Sequence, residues 1–142
     1  MVCIYCSSET DVTNSRSKAR TPSVWRRRTC KACVAQFTTL ELPDYSKALL
    51  VLGPTTKKPA PFSRDKLFLS IYKSLGHRPD ALTSSTALTS TIIGRALNKK
   101  HIMNGALTTN LIGKIAYEVL KRFDPLAATT YKAYHQESLK KS

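Results

Sequence analysis

The sequence predicts an α+β protein in which a small β-rich domain precedes a mainly α-helical domain that opens with a β-hairpin. Two Cys-x-x-Cys pairs lie in the first third of the chain, and runs of aromatic and β-branched residues adjoin the second pair. Further along, apolar residues recur at the helical spacing of three and four. The chain has 142 residues, which leaves room for two small domains.

The first domain is organised around its cysteines. Cys3 and Cys6 form one pair, Cys30 and Cys33 form the other, and the chain has no further cysteine. Each pair can make a tight knuckle with two thiolates directed at one ion, and two knuckles complete a tetrahedral four-sulfur shell. Soft ligands without an open position predict one structural zinc ion, with iron as the weaker alternative. Zinc is then needed for folding, because so short a segment buries too little apolar surface to offset its chain entropy.

A basic strip precedes the second cysteine pair. Residues 24–28 and 37–40 are predicted to be strands, and the polar residues 11–23 a loop with turn-forming side chains, which together give a zinc ribbon. Strand alternation places Arg26 and Arg28 on one face and Arg27 on the other. Arginine can bind a phosphate or the edge of guanine through two nitrogens at once. The predicted nucleic-acid contacts are Arg16, Arg26, Arg27, Arg28 and Lys31.

The charge balance also favours a polyanionic partner. The chain carries 23 Lys and Arg against 9 Asp and Glu, a formal net charge of +14. No secretory segment and no apolar run of membrane-spanning length is present, so we expect a soluble cytoplasmic protein that binds nucleic acid rather than a membrane. An enzyme is not expected, because the histidines lie in separate segments, acidic residues are sparse and no Walker-type phosphate loop occurs. The three histidines are expected to be surface or hydrogen-bonded residues.

The second domain begins after Pro43. Residues 48–52 are predicted to be a strand, and the turn-rich residues 53–59 return the chain toward residues 61–62, giving a hairpin. Four helices follow. They are predicted to run from the N-cap Ser63 to about Leu75, from Ser84 or Ser85 to about Lys99, from Thr108 or Thr109 to about Phe123, and from Pro125 onward.

The first domain closely resembles the zinc ribbon of the NrdR family, bacterial repressors of ribonucleotide reductase genes. The resemblance rests on Arg26-Arg27-Arg28-x-Cys30-x-x-Cys33-x-x-x-Phe37-Thr38-Thr39-x-Glu41, with Cys3-x-x-Cys6 and Asn14-Ser15-Arg16 ahead of it. It implies sequence-specific binding to double-stranded DNA at promoter boxes, with Arg16 and the arginine triplet as contacts.

The second domain resembles, more loosely, the ATP-cone that follows the ribbon in this family. Phe62-Ser63-Arg64-Asp65-Lys66-Leu67 is similar to the start of its first helix, Arg78-Pro79 to its first turn and residues 109–124 to its third helix. The resemblance implies that ATP or dATP binds here and controls oligomeric state and DNA affinity. It is weakest in the hairpin, where the family's Val-x-Lys-Arg-Asp-Gly is replaced by Leu50-Val51-Leu52-Gly53-Pro54, and in the final helix. The expected nucleotide-binding residues are Lys57, Lys58 and Lys66.

The leading hypothesis is therefore a zinc-dependent, nucleotide-responsive repressor that forms homo-oligomers and is associated with the bacterial nucleoid. Its domains are predicted as a ribbon over residues 1–42, a linker over 43–48, a cone over 49–137 and a charged tail over 138–142. The alternative is a structural or RNA-associated protein, such as a ribosome-bound factor, whose cone no longer binds nucleotide.

Overall fold

A computed structural model describes residues 1–17, 22–53, 58–97 and 106–135 of the chain. It divides into two compact units, Met1–Asp44 and Tyr45–Ser142. The division falls inside the predicted linker 43–48, and part of that linker is a one-turn helix, α1 (Tyr45–Ala48), at the start of the second unit. Within the described residues, every helix is too short or too polar to span a membrane.

The first unit is an antiparallel three-stranded sheet. Its strands are β1 (Thr10–Ser17), β2 (Val24–Cys30) and β3 (Gln36–Glu41), in the order β1-β2-β3. The two predicted strands are thus present and extend to Cys30 and Glu41. The prediction of a loop over residues 11–23 was wrong for its first part, because β1 pairs with β2 along its whole length apart from a bulge at Thr13. Polar side chains suit this strand because nearly all of them face solvent.

The second unit combines a small sheet with four longer helices. The sheet has the order β5-β4-β6, with β4 (Leu50–Leu52) antiparallel to β5 (Ala60–Pro61) and parallel to β6 (Ala106–Thr108). The predicted hairpin is therefore present as β4 and β5, although Ala48 belongs to α1 rather than to the strand. The third strand, β6, was not predicted.

The four longer helices follow the predicted order. They are α2 (Arg64–Ser74), α3 (Ala81–Ala96), α4 (Thr109–Phe123) and α5 (Pro125–Tyr134). The hydroxyls of Ser63 and Thr108 accept the N–H of Lys66 and Leu111, both at 3.2 Å, which caps α2 and α4 as their sequences suggest. Only α3 departs from the prediction, since it begins three residues before Ser84.

The core of the second unit lies between the helices and the small sheet. Ile71, Leu75, Ile92, Leu107 and Leu120 are its largest apolar side chains with essentially no exposed surface. Most positions of the predicted apolar faces are buried here. Phe123 and Tyr134, at the ends of α4 and α5, are exposed, and the Arg78 guanidinium carbon lies 4.9 Å from the centre of the Phe123 ring.

A polar cluster joins the turn after α2 to the start of α5. Asp124 caps α5 by accepting the N–H of Leu126 at 2.9 Å, and its other carboxylate oxygen contacts His77 at 3.0 Å and Arg78 at 3.2 Å. The N–H of Ala127, together with these two side chains, holds the pKa of the Asp124 carboxyl well below its usual range. The cluster therefore links two corners of the helical unit while its carboxylate is charged.

Candidate functional site

The four cysteines meet at one end of the ribbon. Their sulfur atoms all lie within 4.8 Å of one another, and the separations are 3.7 Å for Cys3–Cys33, 3.4 Å for Cys6–Cys30 and 3.5 Å for Cys6–Cys33. Four sulfurs at about 2.3 Å from a tetrahedral zinc ion are about 3.8 Å apart, so the cluster has the size of a zinc site. Cys3 and Cys30 are buried, and Cys6 and Cys33 are exposed.

The two knuckles have the same local geometry. In each, the N–H of the first cysteine bonds the carbonyl five residues later, from Cys3 to Ser8 at 2.8 Å and from Cys30 to Ala35 at 3.0 Å. The residue directly after the second cysteine has a positive φ, 60° at Ser7 and 59° at Val34. A β-branched residue rarely adopts this conformation, so the second knuckle holds Val34 in a strained backbone.

Backbone groups around the cysteines favour thiolates. The N–H groups of Cys33 and Ala32 lower the pKa of the Cys30 thiol, and the N–H and hydroxyl of Ser8 lower that of Cys6 to about 6. Although the N–H of Ala35 favours its thiolate, the neighbouring thiols of Cys6 and Cys30 raise the pKa of Cys33 to about 12. A divalent cation relieves this crowding of negative charge, because it lets all four sulfurs be thiolates at once. The donor set therefore fits a structural zinc ion.

Lys31, inside the second knuckle, already has acidic neighbours. Its ammonium lies 3.1 Å from a Glu9 carboxylate oxygen and 3.6 Å from one of Asp11, and Glu9 is the main cause of a raised Lys31 pKa. The Lys31 N–H also bonds the Glu9 carbonyl at 3.1 Å. These contacts fasten the second knuckle to the segment that follows the first.

One face of the ribbon sheet carries an aromatic ring with two guanidinium groups. Arg16 lies directly across from Trp25, and Arg27 follows two residues later on the same face of β2. Their guanidinium carbons lie 6.0 and 5.8 Å from the Trp25 ring centre. The opposing residues of β3 are Leu40 and Thr38, both exposed. We refer to Arg16, Trp25, Arg27, Thr38 and Leu40 as the Trp25 face.

The other two arginines of the triplet lie on the opposite face, as strand alternation predicts. Arg26 makes an ion pair with Glu41 at 2.8 Å. Arg28 donates to the hydroxyls of Thr39 at 3.4 Å and Thr10 at 3.3 Å. Both are half-buried, whereas Arg16 and Arg27 are exposed. The structure thus divides the predicted nucleic-acid contacts between two faces and brings only Arg16 and Arg27 together.

The second unit contains a cavity of about 330 Å³ between the small sheet, α2, α4 and α5. Lys66 is the only lysine or arginine among the described residues that line it, and Lys58 is exposed and not a lining residue. Lys57 lies outside the described residues. The walls are Val51, Gly53, Ala60, Pro61, Phe62, Ser63, Lys66, Leu67, Ser70, Thr109, Ile112, Gly113, Tyr131 and His135.

A small polar group at one side of the cavity was missed by sequence reasoning. Ser70 on α2 and His135 at the end of α5 are joined by a hydrogen bond of 2.7 Å between the Ser70 hydroxyl and Nε2 of the imidazole. The His135 ring lies 4.4 Å from the Tyr131 ring, centre to centre, with the planes tilted by 35°. Burial lowers the pKa of His135 and raises that of Tyr131 to about 12. The spacing of Tyr131 and His135, four residues apart on one helix face, was the only available signal.

Sequence comparisons identify relatives across nearly the whole length of the chain. The family model for the NrdR zinc ribbon, described as "Transcriptional repressor NrdR-like, N-terminal domain", matches residues 1–41. A protein named transcriptional repressor NrdR from Pelagibacter ubique (strain HTCC1062) is 34% identical over 143 residues, covering 96% of this chain and 90% of the relative. Proteins of the same name from Psychrobacter arcticus and Symbiobacterium thermophilum are 31% and 27% identical, covering 96% of this chain and 94% and 88% of the relatives.

Proposed function

Because the chain belongs to the NrdR family of transcriptional repressors, we propose that it binds double-stranded DNA at promoter boxes and represses ribonucleotide reductase genes without acting as an enzyme. The observation that carries the proposal is the Trp25 face, where the exposed guanidinium groups of Arg16 on β1 and Arg27 on β2 lie beside the Trp25 ring. β2 ends in the zinc ligand Cys30. Its place of action is the bacterial nucleoid.

Arg16 and Arg27 are the direct DNA contacts in this proposal. Both are exposed, and neither makes an ion pair with a carboxylate among the described residues. Arg28 adds positive charge on the opposite face, while the charge of Arg26 is largely balanced by Glu41 and that of Lys31 by Glu9 and Asp11. A ribbon of this size can bury only a small DNA interface, so homo-oligomers that place several ribbons on adjacent boxes raise affinity and fix the spacing between boxes.

An adenine nucleotide, ATP or dATP, occupies the cavity of the second unit and controls oligomeric state. A cavity of about 330 Å³ with mostly apolar walls and a few polar groups is typical of small-molecule sites. Lys66 lines the cavity and is the expected nucleotide-binding residue that the family resemblance supports most clearly. Nucleotide binding in one unit then alters DNA affinity in the other by changing how many ribbons engage the DNA together.

An electrophoretic shift assay tests the proposal. The zinc-loaded chain is titrated against a duplex from a bacterial ribonucleotide reductase promoter and against a scrambled duplex of equal length, with ATP, with dATP and with neither. We expect a shift specific to the promoter whose midpoint depends on the nucleotide. Equal affinity for both duplexes under all three conditions would refute the repressor assignment.

One observation favours the alternative of a structural or RNA-associated protein. The described strands of the hairpin, β4 and β5, carry no cation that could bind a phosphate. Calorimetry separates the two functions: stoichiometric binding of ATP or dATP supports the nucleotide-responsive repressor, and absence of binding combined with tight binding of structured RNA supports the alternative.

A further inference from the structure

A groove adjoins the nucleotide cavity along α2 and the end of α5. The two share Lys66, Ser70 and His135, so these residues form their common rim. The groove adds Leu69, Lys73 and Tyr134. A ligand that fills the cavity can therefore extend into the groove past Lys66 without crossing another element.

The two lysines lie on the same face of α2. Lys66 and Lys73 are seven residues apart, which is two helical turns and a rise of about 10 Å. Ser70 lies between them on that face, where it holds the His135 imidazole at 2.7 Å. Both ammonium groups are exposed, and neither has a carboxylate partner within 4 Å among the described residues. Flexible side chains of this length can converge on an anion placed midway between them.

Among the described residues, the groups that face His135 are all cationic or neutral. On α2 they are Lys66, Lys73 and Ser70, and on α5 they are Tyr131 and Tyr134. No carboxylate lines the cavity or the groove within the described part of the chain. The Ser70 hydroxyl can donate to a neutral imidazole nitrogen or accept from a protonated one, so their contact is compatible with both charge states.

We propose that the phosphate chain of a nucleoside triphosphate bound in the cavity leaves it at Lys66 and lies along the groove toward Lys73, with His135 between the two lysines. This inference rests on the proposed nucleotide binding and adds the location of the phosphates. It accounts for the composition of the hairpin, because a phosphate site on α2 and α5 does not require cations in β4 or β5. It also makes triphosphate affinity depend on the charge of His135.

The first experiment separates phosphate contacts from base contacts. Calorimetry with ATP, ADP, AMP and adenosine is carried out on the zinc-loaded chain, on Lys73→Ala and on Lys121→Ala, an exposed lysine of α4 that lines neither the cavity nor the groove. We expect Lys73→Ala to weaken ATP binding about ten- to a hundredfold, the range for losing one charge-assisted contact, and to leave adenosine within about twofold. Lys121→Ala should match the wild type with every ligand.

The second experiment tests His135. ATP affinity is measured at about pH 6 and about pH 8 for the wild type and for His135→Gln, which keeps a hydrogen-bonding group but cannot become charged. Because burial lowers the pKa of His135, the imidazole gains its charge only toward the acidic end of this interval. We expect ATP affinity to rise more in the wild type than in the variant as pH falls. Titration of the nucleotide itself is common to both proteins and cancels in the comparison.

The outcomes distinguish the groove assignment from the proposed nucleotide binding. If the wild type binds ATP but Lys73→Ala binds ATP and adenosine as the wild type does, the groove assignment is overturned and the proposed function stands. The same holds if the variant loses ATP and adenosine equally, or if the wild type and His135→Gln share one pH dependence. If the wild type binds no adenine nucleotide at either pH, the proposed nucleotide control fails and this inference fails with it.

Discussion

Replacing Arg27 by Ala should weaken DNA binding, whereas replacing Arg26 by Ala should leave it nearly unchanged. The two residues are adjacent in sequence but lie on opposite faces of β2. Arg27 is exposed beside Trp25, while Arg26 makes an ion pair with Glu41 at 2.8 Å. Arg26→Ala and Arg27→Ala are therefore matched variants: the amino-acid change is the same, and only the face of β2 differs.

The expected magnitudes follow from these surroundings. Loss of one arginine contact to a base edge costs about 1–3 kcal/mol, and loss of one phosphate contact lowers the slope of log affinity against log salt by about 0.9. Arg27→Ala should thus reduce affinity by at least about fivefold, with a shallower slope if its contact is a phosphate. The side chains of Arg26 and Glu41 are 33% and 63% exposed, so their pair contributes only about 0–1 kcal/mol to the stability of the ribbon.

Fluorescence anisotropy with a labelled promoter duplex over a series of salt concentrations measures both quantities. Zinc content and the far-ultraviolet dichroism of each variant show whether the ribbon remains folded. Arg27→Lys keeps the charge but loses the planar fork, so it should restore the salt slope without restoring discrimination against a scrambled duplex. Equal losses for Arg26→Ala and Arg27→Ala, with both ribbons folded, would refute the assignment of DNA binding to the Trp25 face.

Three further changes test the ribbon and the helical unit. Cys30→Ser should release zinc and unfold the ribbon while helical dichroism persists, because the helices belong to the other compact unit; one retained zinc per chain would contradict the four-thiolate site. Val34→Gly should relieve a positive φ of 59° and stabilise the zinc-loaded ribbon by up to about 1 kcal/mol, measured as slower metal transfer to a chelator, whereas Ala32→Gly in the same knuckle should not. Asp124 has a lowered pKa in the folded state, so its stabilising contribution is present above the unfolded pKa of about 3.9 and is lost as pH falls below it. The difference in Tm between the wild type and Asp124→Asn should therefore shrink below about pH 4, and a constant difference would exclude this charge as the cause.

Helix positions could be predicted because their signals are local. Ser63 and Thr108 cap α2 and α4 through hydrogen bonds that span three residues, and Pro125 begins α5 where its missing N–H is harmless. The start of α3 was predicted too late, because Asp80 and Ser84 are both suitable N-cap types; the N-cap is Asp80, and the Ser84 hydroxyl in the first turn donates to the Asp80 carboxylate at 2.6 Å.

The strands that were missed depend on distant partners. β1 lacks an alternating apolar pattern, and it is a strand because β2 supplies its hydrogen bonds and because its first residue, Thr10, lies across from Cys30 of the second knuckle. β6 has three residues and pairs with β4, more than fifty positions earlier, through a parallel register that no local pattern encodes. Apolar periodicity indicates which face of an element is buried, and capping residues indicate where a helix begins. Neither signal distinguishes these short or exposed strands from loops.

Among the candidate sites, too, those with a local sequence signal could be predicted and those that depend on distant residues could not. The zinc ligands were predictable because each knuckle has a fixed short spacing, and only one pairing of knuckles was available. The polar rim of the cavity was not, since Ser70 and His135 are 65 positions apart and each residue type is common on surfaces. A hydrogen bond between two such residues becomes evident only when α2 and α5 are packed together.

The ribbon links its metal to its basic face through a single strand. β2 carries Trp25 and Arg27 and ends at Cys30, and only two residues separate Arg27 from this zinc ligand. The Cys30 sulfur accepts the N–H groups of Ala32 and Cys33 at 3.4 Å, and the Lys31 backbone is tied to Glu9, which fixes the end of the strand in space. This unit buries few large apolar side chains, so a hydrophobic core does not hold the strand in place. We therefore expect loss of zinc to disturb the position of Arg27 as well as the fold around it.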